Sequence, residues 1–399
     1  MKNKTNLLLL STVAMALIGW GMHHAKQSSS TLTEYCTLDT AVKSEVAATA
    51  PQIEVCFVLD TTGSMHALIE GAKQKIWSLA NEMVKAKPTP QLKVGLVAYR
   101  DKNDAYVTQS FPLTADLDAV YAQLQKFTAD GGGDTPESVN EALADAVHKM
   151  AWNSDRHTLK IIFLVGDAPP HMDYANGPKF PNICAEAVKQ DIIINTIQCG
   201  DIKETASFWT RIAQLSEGHY ASIAQSGNVA VIAAPQDKEL AELNKEIGQT
   251  LVAYGTPEQQ REVKAKQEVS ERSFASVATA PAAADRLLYN STTRKTVQGG
   301  NDLVEDYGKD ATLVGNIGKE KLPEPLQKMN TTELEGHLKT QQAKRAALQT
   351  RIDQVSRERA AFLEEEHKKL AARDGNKDSF DDEVARILRV EAAKKGLTY

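Results

Sequence analysis

Asp60-Thr61-Thr62-Gly63-Ser64 sets a carboxylate and two hydroxyls at alternate positions, directly after the apolar run Ile53 to Leu59. In D-x-T-x-S a single loop can turn all three side chains toward one point. A carboxylate with small neutral oxygens is the donor set that a hard cation such as Mg²⁺ takes. Read alone, the same residues equally make a strand-to-helix turn in which Thr62 or Ser64 caps the next helix. Two further acidic loops weigh toward the cation. Gly131-Gly132-Gly133-Asp134-Thr135-Pro136-Glu137 opens a helical segment, and Val165-Gly166-Asp167-Ala168-Pro169-Pro170 closes another apolar strand. An Asp ending a buried strand is costly unless a charge compensates it. Two strands end that way here, at Asp60 and Asp167.

These loops need a scaffold that brings them to one edge. Ile53 to Leu59, Leu92 to Tyr99, Leu159 to Val165 and Ile192 to Gln198 are short runs dominated by apolar residues, as expected of strands buried on both faces. Tyr106 to Leu113 reads as a short edge strand and His219 to Ile223 as a last one. Helical spacing runs through Leu68, Ile76, Leu79 and Met83 and stops at Pro88, with further helices near 115–128, 137–151, 182–190 and 204–217. Strands alternating with helices predict an α/β fold. Its sheet is doubly wound, mostly parallel and flanked by helices, with a ligand site at the carboxyl ends of the strands.

Together the three loops resemble the metal-ion-dependent adhesion site of von Willebrand factor type A (VWA) domains. The order is the same: D-x-S/T-x-S, a Gly-rich loop with a ligand, then an Asp after a central strand. The likeness covers roughly 52–235, and Val97-Ala98-Tyr99-Arg100-Asp101 also looks like the family. It implies that Thr62 and Ser64 bind the ion directly and Asp60 and Asp167 through waters, with a partner's Asp or Glu completing the octahedron. The second loop departs from the commonest pattern. Counting back six positions from Leu143, in the helical pair Ala142-Leu143, reaches Glu137 rather than Thr135. The D-x-P-E form looks like the I-like domain of integrin β subunits, where Glu supplies the ligand. Glu137 is therefore expected in the set, with Thr135 as the alternative; the plain reading of Glu137 is an acid favoured at a helix N-terminus. Three carboxylates around a dication leave a net negative site and a weaker pull on a partner's carboxylate. Arg100 or Lys102 is the candidate to offset it. Met65-His66-Ala67 stand where integrin-like chains carry more acids, which argues against a second adjacent metal.

The resemblance implies a non-catalytic protein-binding module for adhesion or assembly, dependent on Mg²⁺ (or Mn²⁺ or Ca²⁺). One alternative is a helical scaffold with a purely structural metal. Another is a phosphotransfer enzyme with Asp60 as nucleophile, but no His or phosphate-gripping Lys stands near it in sequence.

The 399 residues are 42% apolar and 25% charged with a net charge of −6, a globular composition without a basic run for nucleic acid. No G-x-x-x-x-G-K-S/T loop is present. Asp374-x-Asn376-x-Asp378 begins like an EF-hand loop, but Ser379 replaces the Gly and Ala385 the closing Glu. His66, His148, His171 and His219 lack H-x-x-x-H spacing and read as surface or loop residues. Lys2, Lys4 and the apolar Leu7 to Trp20 read as a signal peptide over 1–25, too short for a comfortable membrane span. Export to a bacterial periplasm or beyond is expected; an uncleaved segment would instead anchor the chain in the inner membrane, its one membrane contact. A linker over 26–51, the VWA domain over 52–255, a linker or small irregular region over 256–330 and a helical region over 331–399 complete the organisation. In the last, Thr332-x-x-Glu335 matches a capping box. Leu334, Leu338, Leu348, Ile352, Val355 and Phe362 form a seam interrupted by Gln341, Arg345, Arg359 and Glu366, which suits an amphipathic helix or hairpin better than a coiled coil. Four cysteines suit an oxidising compartment. Cys184 and Cys199 are expected at one height of the fold, either disulfide-bonded or packed as free thiols.

Overall fold

A computed structural model describes residues 50–399 except 134, 229–230, 275–278 and 375–378; the expected signal peptide and most of the linker lie outside these. The first half comprises β1 (Gln52–Asp60), α1 (His66–Val84), β2 (Gln91–Tyr99), β3 (Thr108–Thr114), α2 (Leu117–Leu124) and α3 (Val139–His148). It continues with β4 (Leu159–Gly166), α4 (Phe180–Lys189), β5 (Ile192–Cys199), α5 (Lys203–Leu215) and β6 (Tyr220–Ile223). The strands form one sheet in the order β3-β2-β1-β4-β5-β6. All pairs are parallel except β2 with the edge strand β3.

Alternation along each strand divides the core in two. Phe57, Leu59, Phe163, Val165 and Ile197 face α1, whereas Cys56, Val58, Ile162 and Leu164 face α3, α4 and α5. Both faces are covered, so the strands read as continuous apolar runs. Each fully buried Val, Leu, Ile or Phe contributes about 1.5–3 kcal/mol. The register sets Asp60 opposite Tyr99 and Leu59 opposite Val165, so Asp60 and the Gly166-Asp167 turn end side by side.

The same alternation separates two thiols. Cys199 belongs to the core on the α1 side of the sheet, and Cys184 to the core on the α3–α5 side. Cys56, Cys184 and Cys199 are buried and free, which corrects the disulfide expectation. The two thiols lie on different faces: α4 packs on the side lined by Ile192 and Ile194, and Cys199 points away from it. Cys184 instead donates to the Ile212 carbonyl at 3.7 Å.

Helices follow: α6 (Asp237–Gly248), α7 (Pro257–Ser273), α8 (Ala280–Thr292), α9 (Leu303–Lys309), α10 (Leu313–Asn316), α11 (Thr331–Asp374) and α12 (Phe380–Lys394). The irregular region expected over 256–330 is therefore largely helical. Ala282-Ala283-Ala284, which resembled linker composition, is buried and lets α8 lie close along α1. There Tyr289 packs on Trp77 at 5.7 Å between ring centroids.

The helix α11 begins with a reciprocal cap two residues earlier than expected: the Asn330 side chain accepts from the Glu333 N–H, and the Glu333 carboxylate accepts from the Asn330 N–H. It runs unbroken against α6, α8, α9 and α10 rather than pairing as a hairpin or coiled coil. Two of the polar interruptions of its seam, Arg345 and Arg359, are tertiary contacts, whereas Glu366 pairs with Lys369 of the same helix. Arg345 meets Asp302 at 2.7 Å, and Arg359 meets Asp237 at 2.7 Å and Asp285 at 2.6 Å. The helix α12 returns to the sheet, with Phe380 against Phe57 and Lys75 paired to Asp381 at 2.9 Å. Residues 49–399 thus cluster as one compact unit rather than separate domains. Among the described residues no helix is long and apolar enough to cross a membrane.

Candidate metal centre

The centre is built where β1 and β4 run out. Asp60 is the last residue of β1 and fully buried. Its Oδ1 accepts from the Thr62 N–H at 2.9 Å and the Thr62 hydroxyl at 2.7 Å, folding the loop back on the strand. Thr62 Oγ1 lies 3.3 Å from Ser64 Oγ, so the two hydroxyls share one side of the loop. Gly63 N–H donates to the Gly131 carbonyl, tying this loop to the glycine loop. Gly132 has φ +75°, and a Cβ there would stand 2.9 Å from Thr62 Cβ and 3.2 Å from Glu137 Oε1. That position needs glycine both for its conformation and for the close approach. At Gly166 a Cβ would collide with the Tyr99 hydroxyl and come within 3.0 Å of Asp60 Oδ2.

Glu137 is 3% exposed, held by its backbone N–H on the Pro169 carbonyl. Thr135, the alternative, is exposed and makes no hydrogen bond to the group among the described residues. Asp167 is buried and accepts from Gln225 Nε2 at 2.7 Å. Asp60, Thr62, Ser64, Glu137 and Asp167 therefore gather at one edge of the sheet. Among the described residues no three His, Cys, Asp or Glu side chains by themselves form a group that could hold an ion; the set here mixes hydroxyls with carboxylates.

The electrostatics are uncompensated. Asp60 Oδ2 and Glu137 Oε2 are buried without a hydrogen-bond partner among the described residues, as is the Tyr99 hydroxyl. Burial, then the Asp167 charge, pushes the Asp60 carboxyl up to about 7. Burial, then Asp60, Asp101, Asp104 and Asp167, pushes Glu137 up to about 9. The cations named as offsets are engaged elsewhere. Arg100 donates to the Thr128 carbonyl at 2.6 Å and lies over the Tyr106 ring, while Lys102 lies over Tyr174 and 3.8 Å from Glu141.

Several neighbours escaped the sequence reading. Gln225, in the loop after β6, bonds Asp167 and also the Ser64 carbonyl at 3.3 Å. Nothing local marks it; only the strand order brings it here. Asp104 accepts from the Gly132 N–H, and Asp101 accepts from the Ser138 and Tyr174 hydroxyls. His171, expected at the surface or in a loop, lies in a loop but is 6% exposed, stacked on Tyr174 and 2.7 Å from Asp173. His66 and His148 are exposed, whereas His219 reaches the buried Glu391 at 3.1 Å.

Residues 54–235 match the family model of the von Willebrand factor A domain. The human von Willebrand factor A domain-containing protein 7 is 35% identical over 120 residues, 30% of this chain and 12% of that protein. An ariadne-like RING finger protein of Acanthamoeba polyphaga mimivirus is 25% identical over 119 residues, 30% of this chain and 11% of that protein. The chain thus spans about a tenth of the length of these relatives. Among solved structures, the SpRpn10 VWA domain aligns over 45% of this chain and 92% of its own, at 15% identity and a TM-score of 0.35. The mussel byssus proximal thread matrix protein 1, with a zinc-occupied MIDAS motif, aligns over 44% and 42% at 16% identity and a TM-score of 0.34. Residues 54–235 thus resemble a VWA domain, and their six-stranded, mostly parallel sheet flanked by helices is a VWA-like fold.

Proposed function

With a VWA domain as the premise, we propose a non-catalytic, divalent-cation-dependent protein-binding module on an exported protein, acting in adhesion or assembly. The observation that carries the reading is the pair of buried carboxylate oxygens without a hydrogen-bond partner among the described residues, Asp60 Oδ2 and Glu137 Oε2, beside the Thr62 and Ser64 hydroxyls. An orphaned buried carboxylate oxygen costs about 1–3 kcal/mol or more. A dication removes that cost and reverses the upward pKa shifts. The residues fit the group: Thr62, Ser64, Glu137, Asp60 and Asp167 would hold Mg²⁺, Mn²⁺ or Ca²⁺. When bound, the ion would supply an electrophilic position to which a partner's Asp or Glu can add.

The chain's own residues do the rest. Thr62 fixes the Asp60 carboxylate, Gln225 orients Asp167, and Gly132 admits Glu137 to the group. The partners of Asp60 are the N–H and hydroxyl of Thr62, which hold it in place rather than activate it as a nucleophile. Calorimetric titration of the chelator-stripped chain with Mg²⁺ and Mn²⁺ tests the reading, followed by capture of periplasmic proteins with and without chelator. Saturable metal binding with chelator-sensitive capture is expected. No metal binding to the wild-type chain would sink the reading, and capture indifferent to chelator would leave the ion a structural role.

A further inference from the structure

Between the carboxyl end of α8, the helix α9 and the middle of α11 lies a cavity of about 570 Å³, within the size range of metabolite sites. Its cations are unevenly matched. Lys309 is held by Glu305 Oε1 at 2.6 Å. Arg345 uses three of its five N–H groups on Thr250 and Asp302. Arg294 and Lys295, at the turn closing α8, line the same cavity with no side-chain partner among the described residues. Arg294 stands at φ +58°, the left-handed position that closes α8, where the N–H groups of Arg294 and Lys295 return to the Ser291 and Asn290 carbonyls and fix both side chains beside the cavity. Glu305 lines the cavity too, and its Oε2 is buried without a hydrogen-bond partner among the described residues.

We propose that this cavity is a second ligand site, for a phosphate monoester on a hydroxyl-bearing body, the chemistry of sugar phosphates. Two uncompensated cations match a dianionic phosphate, with Arg294 offering a fork and Lys295 a point charge. The orphaned Glu305 oxygen takes a hydroxyl donor from the body, and Gln342, Gln349 and Thr350 line the remaining wall. The lining carries no aromatic ring, so a nucleotide's base has no platform to stack on. The proposal is independent of the metal edge.

Calorimetry of the full chain in chelator, with glucose 6-phosphate, inorganic phosphate and glucose as probes, tests it. Glucose 6-phosphate is expected to bind about tenfold or more tighter than inorganic phosphate, and glucose without its phosphate not at all. Arg294→Glu with Lys295→Glu should remove that binding while leaving the melting curve unchanged. If the double reversal melts early, Lys295→Ala replaces it, with a loss of about tenfold expected. Glu305→Gln should lower affinity for the sugar phosphate and leave inorganic phosphate unaffected. The assignment falls if glucose 6-phosphate binds no better than inorganic phosphate, or if the cavity variants bind it like the wild type.

Discussion

At the carboxyl edge of the sheet, Asp60 and Glu137 are buried, each with an oxygen that has no partner among the described residues. In the helical region beyond residue 236, Asp237 and Asp302 are buried too, yet each meets an arginine of α11 at 2.7 Å. The first arrangement leaves negative charge for something outside the chain to neutralise. The second is closed within it. A buried charge therefore signals a site only where its compensation is missing, and reading charges without partners would confuse the two regions.

Breaking the closed pairs should give the largest effect. Arg359→Ala strands Asp237 and Asp285 together and is expected to cost about 3–5 kcal/mol in denaturant unfolding, with or without metal. An unchanged midpoint would erase the contrast between the regions. At the open edge the expected effect appears only with metal. Mg²⁺ at a hundredfold over Kd should stabilise the wild type by about 2.7 kcal/mol, and Asp60→Ala or Asp167→Ala should lose that gain. A finer cut follows within the glycine loop: Glu137→Ala should weaken Mg²⁺ binding more than Thr135→Ala, and the reverse order would restore Thr135 as the ligand.

Acidity tests the same edge without metal. Glu137 and Asp60 hold their protons more tightly in the fold than in the unfolded chain. Their contribution is whole below the ordinary carboxyl range and is lost as pH rises toward about 7 for Asp60 and about 9 for Glu137. In chelator, the stability difference between Glu137→Gln and the wild type should grow in favour of the variant from pH 5 to 9, and shrink when Mg²⁺ is added. A flat difference would show that Glu137 is not charge-stressed. The smallest effect belongs to the thiols. Reductant should leave the melting temperature unchanged, and alkylation of unreduced, denatured protein should recover Cys184 and Cys199 free.

Much of the sheet region was legible because its signals are local. An apolar run ending in Asp marks both a strand and the carboxylate at its tip, and D-x-T-x-S sets its own loop geometry within five residues. The continuous apolar runs of the strands announced a sheet covered on both faces. The helical region hid its organisation because Arg345, Arg359 and the Ala282-Ala283-Ala284 stretch look like solvated charge and linker until their distant partners are known. What the sequence by itself determined is the fold class of the first half and the residue types offered at its carboxyl edge. Only the tertiary structure decided that Gln225 bonds Asp167, that Cys184 and Cys199 lie on opposite faces, and that the chain after 236 packs back on the sheet as one unit. Each depends on which face or strand becomes a neighbour. Neighbours far apart in the chain are set by the summed burial of the whole core, which no short window of residues encodes.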